Sequence, residues 1–214
     1  MGSDEVTGVV LAGGRSHRMG RNKAFLELGG RPLIAHVVER LARVCAEVLV
    51  VASDVRPYAD LGVPVVPDRF QGVGVLGGLQ AGLAAAAHDL TLAVGCDMPF
   101  LNPHLLRAMA GWARGFDVVV LRHGPADESE YVLFVEPLHA AYRRTCMSSL
   151  EEAIRAGERR IVSFFSRVQV RYVTPDEVAP FDPDMRSFRN VNTPEEWEAV
   201  QAEWAADEDL SRSR

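Results

Sequence analysis

The stretch "TGVVLAGGRSHRMGRNK" (residues 7–23) runs from an apolar, β-branched segment straight into Gly13-Gly14 and then into a series of cationic side chains that ends at Lys23. Val9, Val10 and Leu11 show no polar alternation, which is the pattern of a strand buried on both faces. Gly13 and Gly14 let a ligand approach the backbone closely and offer N–H donors to anionic oxygens. Arg15, Arg18 and Lys23 add forked donors and point charge suited to phosphate. A solvated Gly-Gly turn is the alternative, but the position directly after the first buried strand favours a polyphosphate loop. It is not a Walker A loop, since no G-x-x-x-x-G-K-[ST] pattern is present.

Working outward, "EVLVVA" (47–52), "VPVVP" (63–67), "LTLAVG" (90–95) and "DVVVLR" (117–122) read as further buried strands. Between them, "PLIAHVVERLARV" (32–44) places Pro32 in a first turn and Leu33, Val37, Val38 and Leu41 on one stripe. "GGLQAGLAAAAH" (77–88) and "NPHLLRAMAGWAR" (102–114), the latter with Asn102 as N-cap, read as helices too. This alternation predicts an α/β fold, a three-layer, doubly wound and mostly parallel sheet, in a single domain over 1–214. After Arg122 the rhythm changes. "HGPADESE" (123–130) reads as a polar, acidic loop, a solvated charge run to which no role is assigned, and "YVLFVEPLHAAYRR" (131–144) as a strand followed by a helical pattern. "SSLEEAIRAGERRIVSFFS" (148–166) reads as a helix pair and "VQVRYV" (168–173) as a strand. A helix capped by Thr193 then leads into a frayed "DLSRSR" tail.

The 214 residues are 48% hydrophobic with a formal net charge of -6, which speaks against a general nucleic-acid binder. Cys45, Cys96 and Cys146 are odd in number and form no C-x-x-C pair, so neither a disulfide framework nor a zinc site is expected, and a reducing cytoplasm fits. The short acidic start lacks the features of a signal peptide. No apolar run approaches the roughly 20 residues that span a bilayer.

Ligands of open α/β sheets sit beyond the carboxyl ends of the strands. "PDRFQGVGVLGGLQAG" (67–82) contains a formal G-x-G-x-x-G in Gly72, Gly74 and Gly77, with Asp97 following, so a dinucleotide fold is a rival reading. Against it, Asp68 to Gln71 separate the strand from the first glycine. "LTLAVGCDMPFLN" (90–102) ends its strand in Gly95-Cys96 and presents Asp97 at the sheet's mouth. A carboxylate facing a phosphate loop suits Mg2+, which takes one or two carboxylates plus phosphate oxygens; capping of the next turn is the plainer role. Metal plus polyphosphate implies phosphoryl or nucleotidyl transfer. His17, His36, His88, His104, His123 and His139 are scattered and read as surface or satisfied residues.

At this point a resemblance appears. "LAGGRSHRMGRNK" resembles the L-A-G-G-x-S-x-R-M-G-x-D-K signature of the molybdenum cofactor guanylyltransferases. "VLGGL", "GCDMPFL", "PLHAAYRR", "AGERRIVSFF" and "NVNTPEEW" are similar to later segments of that family in the same order. The resemblance implies attack by the terminal phosphate of molybdopterin on the α-phosphorus of GTP, with pyrophosphate leaving. It implies that the backbone of Leu11, Ala12, Gly13 and Gly14, with Asp68, holds GTP, that Lys23 and Arg18 neutralise the triphosphate, and that Asp97 binds Mg2+. Asn190 and Asn192 would line the pterin side. Residues 1–122 would form the nucleotide half and about 123–205 the acceptor half, with transient contact to molybdoenzyme apoproteins and no nucleic-acid or membrane partner. Three positions depart from the pattern: Asn22 stands in place of Asp, Val75 in place of the loop proline, and "ASD" (52–54) lacks an expected asparagine, which Ser53 or Asp54 would replace. The rivals are a molybdopterin cytidylyltransferase, whose loop resembles L-A-A-G, a sugar-1-phosphate nucleotidyltransferase, and a non-catalytic GTP-binding regulator. Retention of Lys23 and Asp97 speaks against the last.

Overall fold

Strand β1 (Val6–Leu11) is buried at every position and is hydrogen-bonded on both edges to parallel neighbours, β4 (Glu47–Ala52) and β6 (Leu90–Gly95). With both faces and both edges covered it leaves little place for polar residues, which explains the apolar run from Gly8 to Leu11; its one polar side chain, Thr7, is buried and hydrogen-bonded to Glu47 and His88. The computed structural model describes residues 6–12, 22–68, 70, 72–123 and 135–212. Beyond β4 lies β5 (Val65–Pro67); beyond β6 come β8 (Val135–Arg143), β7 (Val118–Arg122) and β9 (Val170–Val173). The seven-stranded sheet thus has the order β5-β4-β1-β6-β8-β7-β9, with β8 antiparallel to both of its neighbours and the other pairings parallel. A two-stranded ribbon, β2 (Glu27–Leu28) and β3 (Arg31–Pro32), stands apart.

Helices α1 (Leu33–Ala42) and α3 (Pro103–Trp112) pack Ile34, Val37, Leu41, Leu105 and Met109 with Val10, Val50 and Val94 of the sheet. Helices α2 (Val75–Ala85) and α4 (Met147–Arg155) bring Leu76, Leu79, Leu83 and Leu150 to the opposite face, with Val9, Leu49 and Val51. The expected three layers are therefore present. The short α5 (Pro175–Val178) follows β9, and α6 (Pro194–Arg212) contributes Val200 to a smaller core with Leu28, Leu33, Phe100 and Val191. Asn102 caps α3 by accepting the His104 N–H at 2.8 Å, as expected. Thr193 Oγ1 accepts from the Glu196 N–H while Glu196 accepts from the Thr193 N–H, a reciprocal capping box at the start of α6.

Several expectations need correction. "PLHAAYRR" is not helical: β8 continues to Arg143, one 3-10 turn (Arg144–Cys146) follows, and α4 starts at Met147. Leu138, Ala141 and Tyr142 have helical spacing, yet β8 lies between two strands that satisfy its backbone, and tertiary pairing outweighs the local pattern. The second member of the helix pair is a 3-10 helix (Ile161–Arg167). The "DLSRSR" segment is helical through Arg212 rather than frayed. Residues 1–5, most of "HGPADESE" and "YVLF" lie outside the described residues.

His36 is satisfied by the Leu28 carbonyl at 2.8 Å, but His139 is not a satisfied residue. It is fully buried on β8 with its ring 4.3 Å from that of Phe188, and neither ring nitrogen has a hydrogen-bond partner among the described residues. Burial pushes its pKa down to about 4.

Helix α2 crosses β1 so closely that glycine is required at one position. A Cβ on Gly82 would lie 2.6 Å from Val9 Cγ1, whereas one on Gly78 would meet Leu11 Cδ2 at an ordinary 3.5 Å. We expect Gly82→Ala to destabilise by about 1–3 kcal/mol through overpacking. Gly78→Ala should be neutral or stabilising by up to about 1 kcal/mol, the helix-propensity gain; urea titration separates the two. His139 supplies a pH test. The unfolded chain takes up the imidazole proton near pH 6.5 and the folded one only near pH 4. Stability is therefore intact above pH 6.5 and falls as the pH drops towards 4, by a maximum of about 3 kcal/mol. In His139→Leu, urea titrations over the same pH range should show that much less acid loss than the parent.

Candidate active site at the carboxyl ends of β1 and β6

From β1 the chain moves outward to β4 and β5 and then returns to β6 on the other side of β1, so the sheet's topological switch lies between β1 and β6. At that point β1 ends in Leu11-Ala12 and β6 in Gly95-Cys96-Asp97. The two ends are tied together by the Cys96 N–H, which donates to the Leu11 carbonyl at 3.2 Å, and the Ala12 N–H ties the end of β1 to β4 through the Val51 carbonyl at 2.8 Å.

Lys23 opens a 3-10 turn (Lys23–Phe25) whose N-cap is Asn22. The turn aims its ammonium inward, where Nζ donates to Asn192 Oδ1 at 2.8 Å and stands 3.7 Å from Asp97 Oδ2. Both side chains are largely buried, with 14% of Lys23 and 20% of Asp97 exposed. Burial pushes the Asp97 pKa above the usual carboxylate value, and the nearby ammonium only partly offsets this. The closing segment completes the cluster: Val191 N–H donates to the Asp97 carbonyl at 3.2 Å, and Asn192 Nδ2 donates to Asn190 Oδ1 at 2.9 Å. Lys23, Asp97, Asn190 and Asn192 thus meet although the sequence separates them widely.

Beside this cluster, on the β4 side, lies a cavity of about 820 Å3 lined by Leu11, Ala12, Asn22, Ser53, Asp54, Tyr58, Asp68, Gly72, Gly74 and Val75. Asp68 N–H holds the Ala52 carbonyl at 3.1 Å, and Asp68 Oδ1 accepts from Phe70 N–H at 3.0 Å. Burial raises the Asp68 pKa in spite of that bond. Gly77 sits close under the same loop: a Cβ there would lie 3.0 Å from Phe70 Cβ and 3.1 Å from Asp68 Oδ1, so a larger residue would press on both. Gly72 and Gly74 adopt φ of +85° and +73°, and Gly74 caps α2. The dinucleotide reading of these glycines fails, since β5 and β6 are separated by β4 and β1 and do not form one adjacent parallel pair.

Leu11, Ala12 and Asp68 therefore line the cavity, while Lys23, Asp97, Asn190 and Asn192 form the polar cluster next to it. Gly13, Gly14 and Arg18 lie outside the described residues. Of the two side chains expected to replace the missing asparagine, Asp54 is engaged by Arg56 through two bonds of 2.9 and 2.8 Å, which hold its pKa near 2. That leaves Ser53 with its side chain free of that pairing. No motif marks Tyr58, whose hydroxyl reaches Ala12 and Asn22, or Arg159, whose guanidinium donates to the Gly72 carbonyl at 2.7 Å. Both contacts join segments distant in the chain, and no local spacing encodes them.

Comparison with known proteins is consistent throughout. The MobA-like NTP transferase domain matches residues 8–171. A probable molybdenum cofactor guanylyltransferase of Pelotomaculum thermopropionicum is 40% identical over 190 residues, covering 89% of each chain. The molybdenum cofactor guanylyltransferase of Desulfosudis oleivorans is 35% identical over 93% of this chain and 96% of its own. The crystal structure of molybdopterin-guanine dinucleotide biosynthesis protein A from Archaeoglobus fulgidus superposes with a TM-score of 0.79 at 27% identity, over 94% of this chain and 99% of that one. The chain belongs to the MobA-like NTP transferase family and is a nucleotidyltransferase of the molybdenum cofactor guanylyltransferase type.

Proposed function

We propose that the protein transfers GMP from GTP to molybdopterin, the acceptor implied by its relatives, giving molybdopterin guanine dinucleotide and pyrophosphate. The observation that carries this reading is the convergence of Lys23 and Asp97 beside the cavity at the switch point. In the reaction an oxygen of the acceptor's terminal phosphate bonds to the α-phosphorus of GTP, and the bond from that phosphorus to the bridging oxygen breaks, so the electron pair leaves with pyrophosphate. A phosphate monoester is largely dianionic at neutral pH, with a second pKa of about 6, so the attack needs no general base. What it needs is charge neutralisation and alignment. Lys23 neutralises phosphate oxygens, and Asn192 and Asp97 hold its ammonium in place. Arg18, Gly13 and Gly14 serve the triphosphate on the strength of their sequence position. Leu11, Ala12 and Asp68 border the nucleoside, and Asn190 and Asn192 face the acceptor. In this reading residues up to about 122 bind nucleotide and about 123–205 bind acceptor.

Asp97 suits Mg2+. Among the described residues no group of three His, Cys, Asp or Glu side chains could hold a metal ion, so an ion would take Asp97 and complete its shell with phosphate oxygens, a donor set that Mg2+ accepts. A carboxylate this desolvated, with one ammonium at 3.7 Å, has capacity for a second cation. When bound, Mg2+ supplies further neutralisation of the triphosphate. No helix among the described residues is long and apolar enough to cross a membrane. The three free cysteines suit a reducing compartment, and the reading is of a cytoplasmic enzyme that hands its product to molybdoenzyme apoproteins.

Calorimetric titration with GTP and with CTP, each with and without Mg2+, tests the reading. We expect tighter, Mg2+-assisted binding of GTP; preference for CTP would assign the cytidylyl reaction instead. In a pyrophosphate-release assay Lys23→Ala should lower the rate by about 100-fold or more, the scale of one lost charge-stabilising donor. Asp97→Asn should abolish the Mg2+ dependence. Full activity in Asp97→Asn would overturn the metal assignment, and GTP binding without turnover in the parent would indicate a regulator.

A further inference from the structure

On the side of β6 away from the cavity, two further side chains meet at the same end of the sheet. Strand β8 runs antiparallel to β6, with His139 opposite Val94. Three residues past that pair stand Asp97 on one chain segment and Glu136 on the other, so Glu136 lies at the end of the sheet that holds the Lys23 cluster. It meets His123, the residue directly after β7, whose Nε2 is 3.1 Å from Glu136 Oε1. An ionised carboxylate only accepts, so the imidazole N–H is the donor. The Glu136 side chain is 32% exposed and open to a ligand, yet burial raises its pKa against the pull of His123. The His123 ring stands edge-on to Phe188 with centroids 6.3 Å apart, and from Phe188 the chain runs to Asn190 and to Asn192, which holds Lys23.

We propose that Glu136, held by His123, recognises the heterocycle of the acceptor by accepting from the paired N–H groups of a 2-amino-4-oxo pyrimidine edge. The proposal rests on the transfer of GMP to molybdopterin argued above. The sheet order sets the cavity on the β4 side of the Lys23–Asp97 cluster and Glu136 on the β8 side. A nucleotide that lies in the cavity with its phosphates at the cluster therefore leaves the β8 side to the acceptor. A carboxylate has about four lone-pair sites, and the His123 bond uses one of them. Such a group accepts two parallel N–H donors at once, which adds geometric specificity to the charge. A pterin presents that donor pair at N3 and its 2-amino group. Lumazine, with oxygen in place of the amino group, sets an acceptor against the carboxylate instead. Guanine shares the edge of a pterin, so the two sources have to be separated by experiment.

The test is binding of 6-hydroxymethylpterin and 6-hydroxymethyllumazine to the full chain at neutral pH, read from the fluorescence of the two compounds, with the cavity filled by saturating GTP and Mg2+. The parent should bind the pterin at least about 10-fold more tightly than the lumazine, the scale of a hydrogen bond to a charged group. Glu136→Gln keeps the side-chain volume and an accepting oxygen for His123 but sets an amide N–H against the incoming donors. It should weaken the pterin by about 10- to 100-fold, leave the lumazine no weaker, and leave the calorimetric dissociation constant for GTP unchanged. A purely structural pair would lower the melting temperature of the variant and leave the ratio of the two constants as it was. That unchanged ratio, equal binding of both compounds by the parent, or no pterin binding at all would each overturn the assignment. Loss of GTP affinity with the pterin unaffected would place guanine at Glu136 and overturn it as well. If the parent binds no GTP, the nucleotidyltransferase reading fails, while the ratio measured in the nucleotide-free parent and variant still decides what Glu136 recognises.

Discussion

A largely desolvated carboxylate sets the terms for this site. Asp97 has lost most of its water at the end of β6, and the ammonium of Lys23 at 3.7 Å does not fully replace it. Removing a charge from water is costly unless it is paired and hydrogen-bonded. The surrounding chain is arranged around that cost: the Lys23 turn brings a cation, Val191 bonds the Asp97 backbone, and Asn192 holds the ammonium from its other side. What remains uncompensated is of the sign that a metal-bound triphosphate would meet.

The sheet makes this convergence possible. Only at a switch point do two adjacent parallel strands send their following loops away from each other and leave a crevice between them. Here β1 sends its chain towards the cavity bordered by Tyr58 and Asp68, while β6 ends in Asp97. The cavity and the Lys23–Asp97 cluster therefore lie side by side with β1 between them. The glycines of α2 belong to the same arrangement. Gly82 lets the helix approach β1, and Gly77 leaves room for the Asp68 carboxylate at the cavity's edge.

The chain up to about residue 122 was legible because its strands are short, continuous and apolar, and because its candidate site residues follow those strands directly: Leu11, Ala12, Asp68 and Asp97 all stand at or just beyond strand ends. The chain after it was less so. Strand β8 is central and buried over much of its length, so it shows no period of two, and its Leu138, Ala141 and Tyr142 mimic a helical stripe. Tyr58 and Arg159 make contacts across long stretches of chain, and these have no spacing signature. Asn22 was visible as a departure from a pattern, but its amide has meaning only beside Tyr58, which the fold supplies.

The route by which Asn190 and Asn192 reach Lys23 also accounts for the least comfortable residue of the core. The segment before them is pinned from below: Asp182 accepts from the Arg186 and Ser187 N–H groups, Ser187 Oγ accepts from Asn102 N–H, and Phe188 lies on the ring of His139. An imidazole without a hydrogen-bond partner is an expensive choice for a buried position on β8. Its return is a flat, uncharged ring against Phe188, two residues before Asn190 and four before Asn192. Because burial keeps that ring neutral until about pH 4, the support does not change charge across the neutral range in which phosphate chemistry proceeds. The polar demands of the site are met by asparagines, a lysine and an aspartate, and the support beneath them joins the Asp182 and Ser187 hydrogen bonds to an uncharged ring contact.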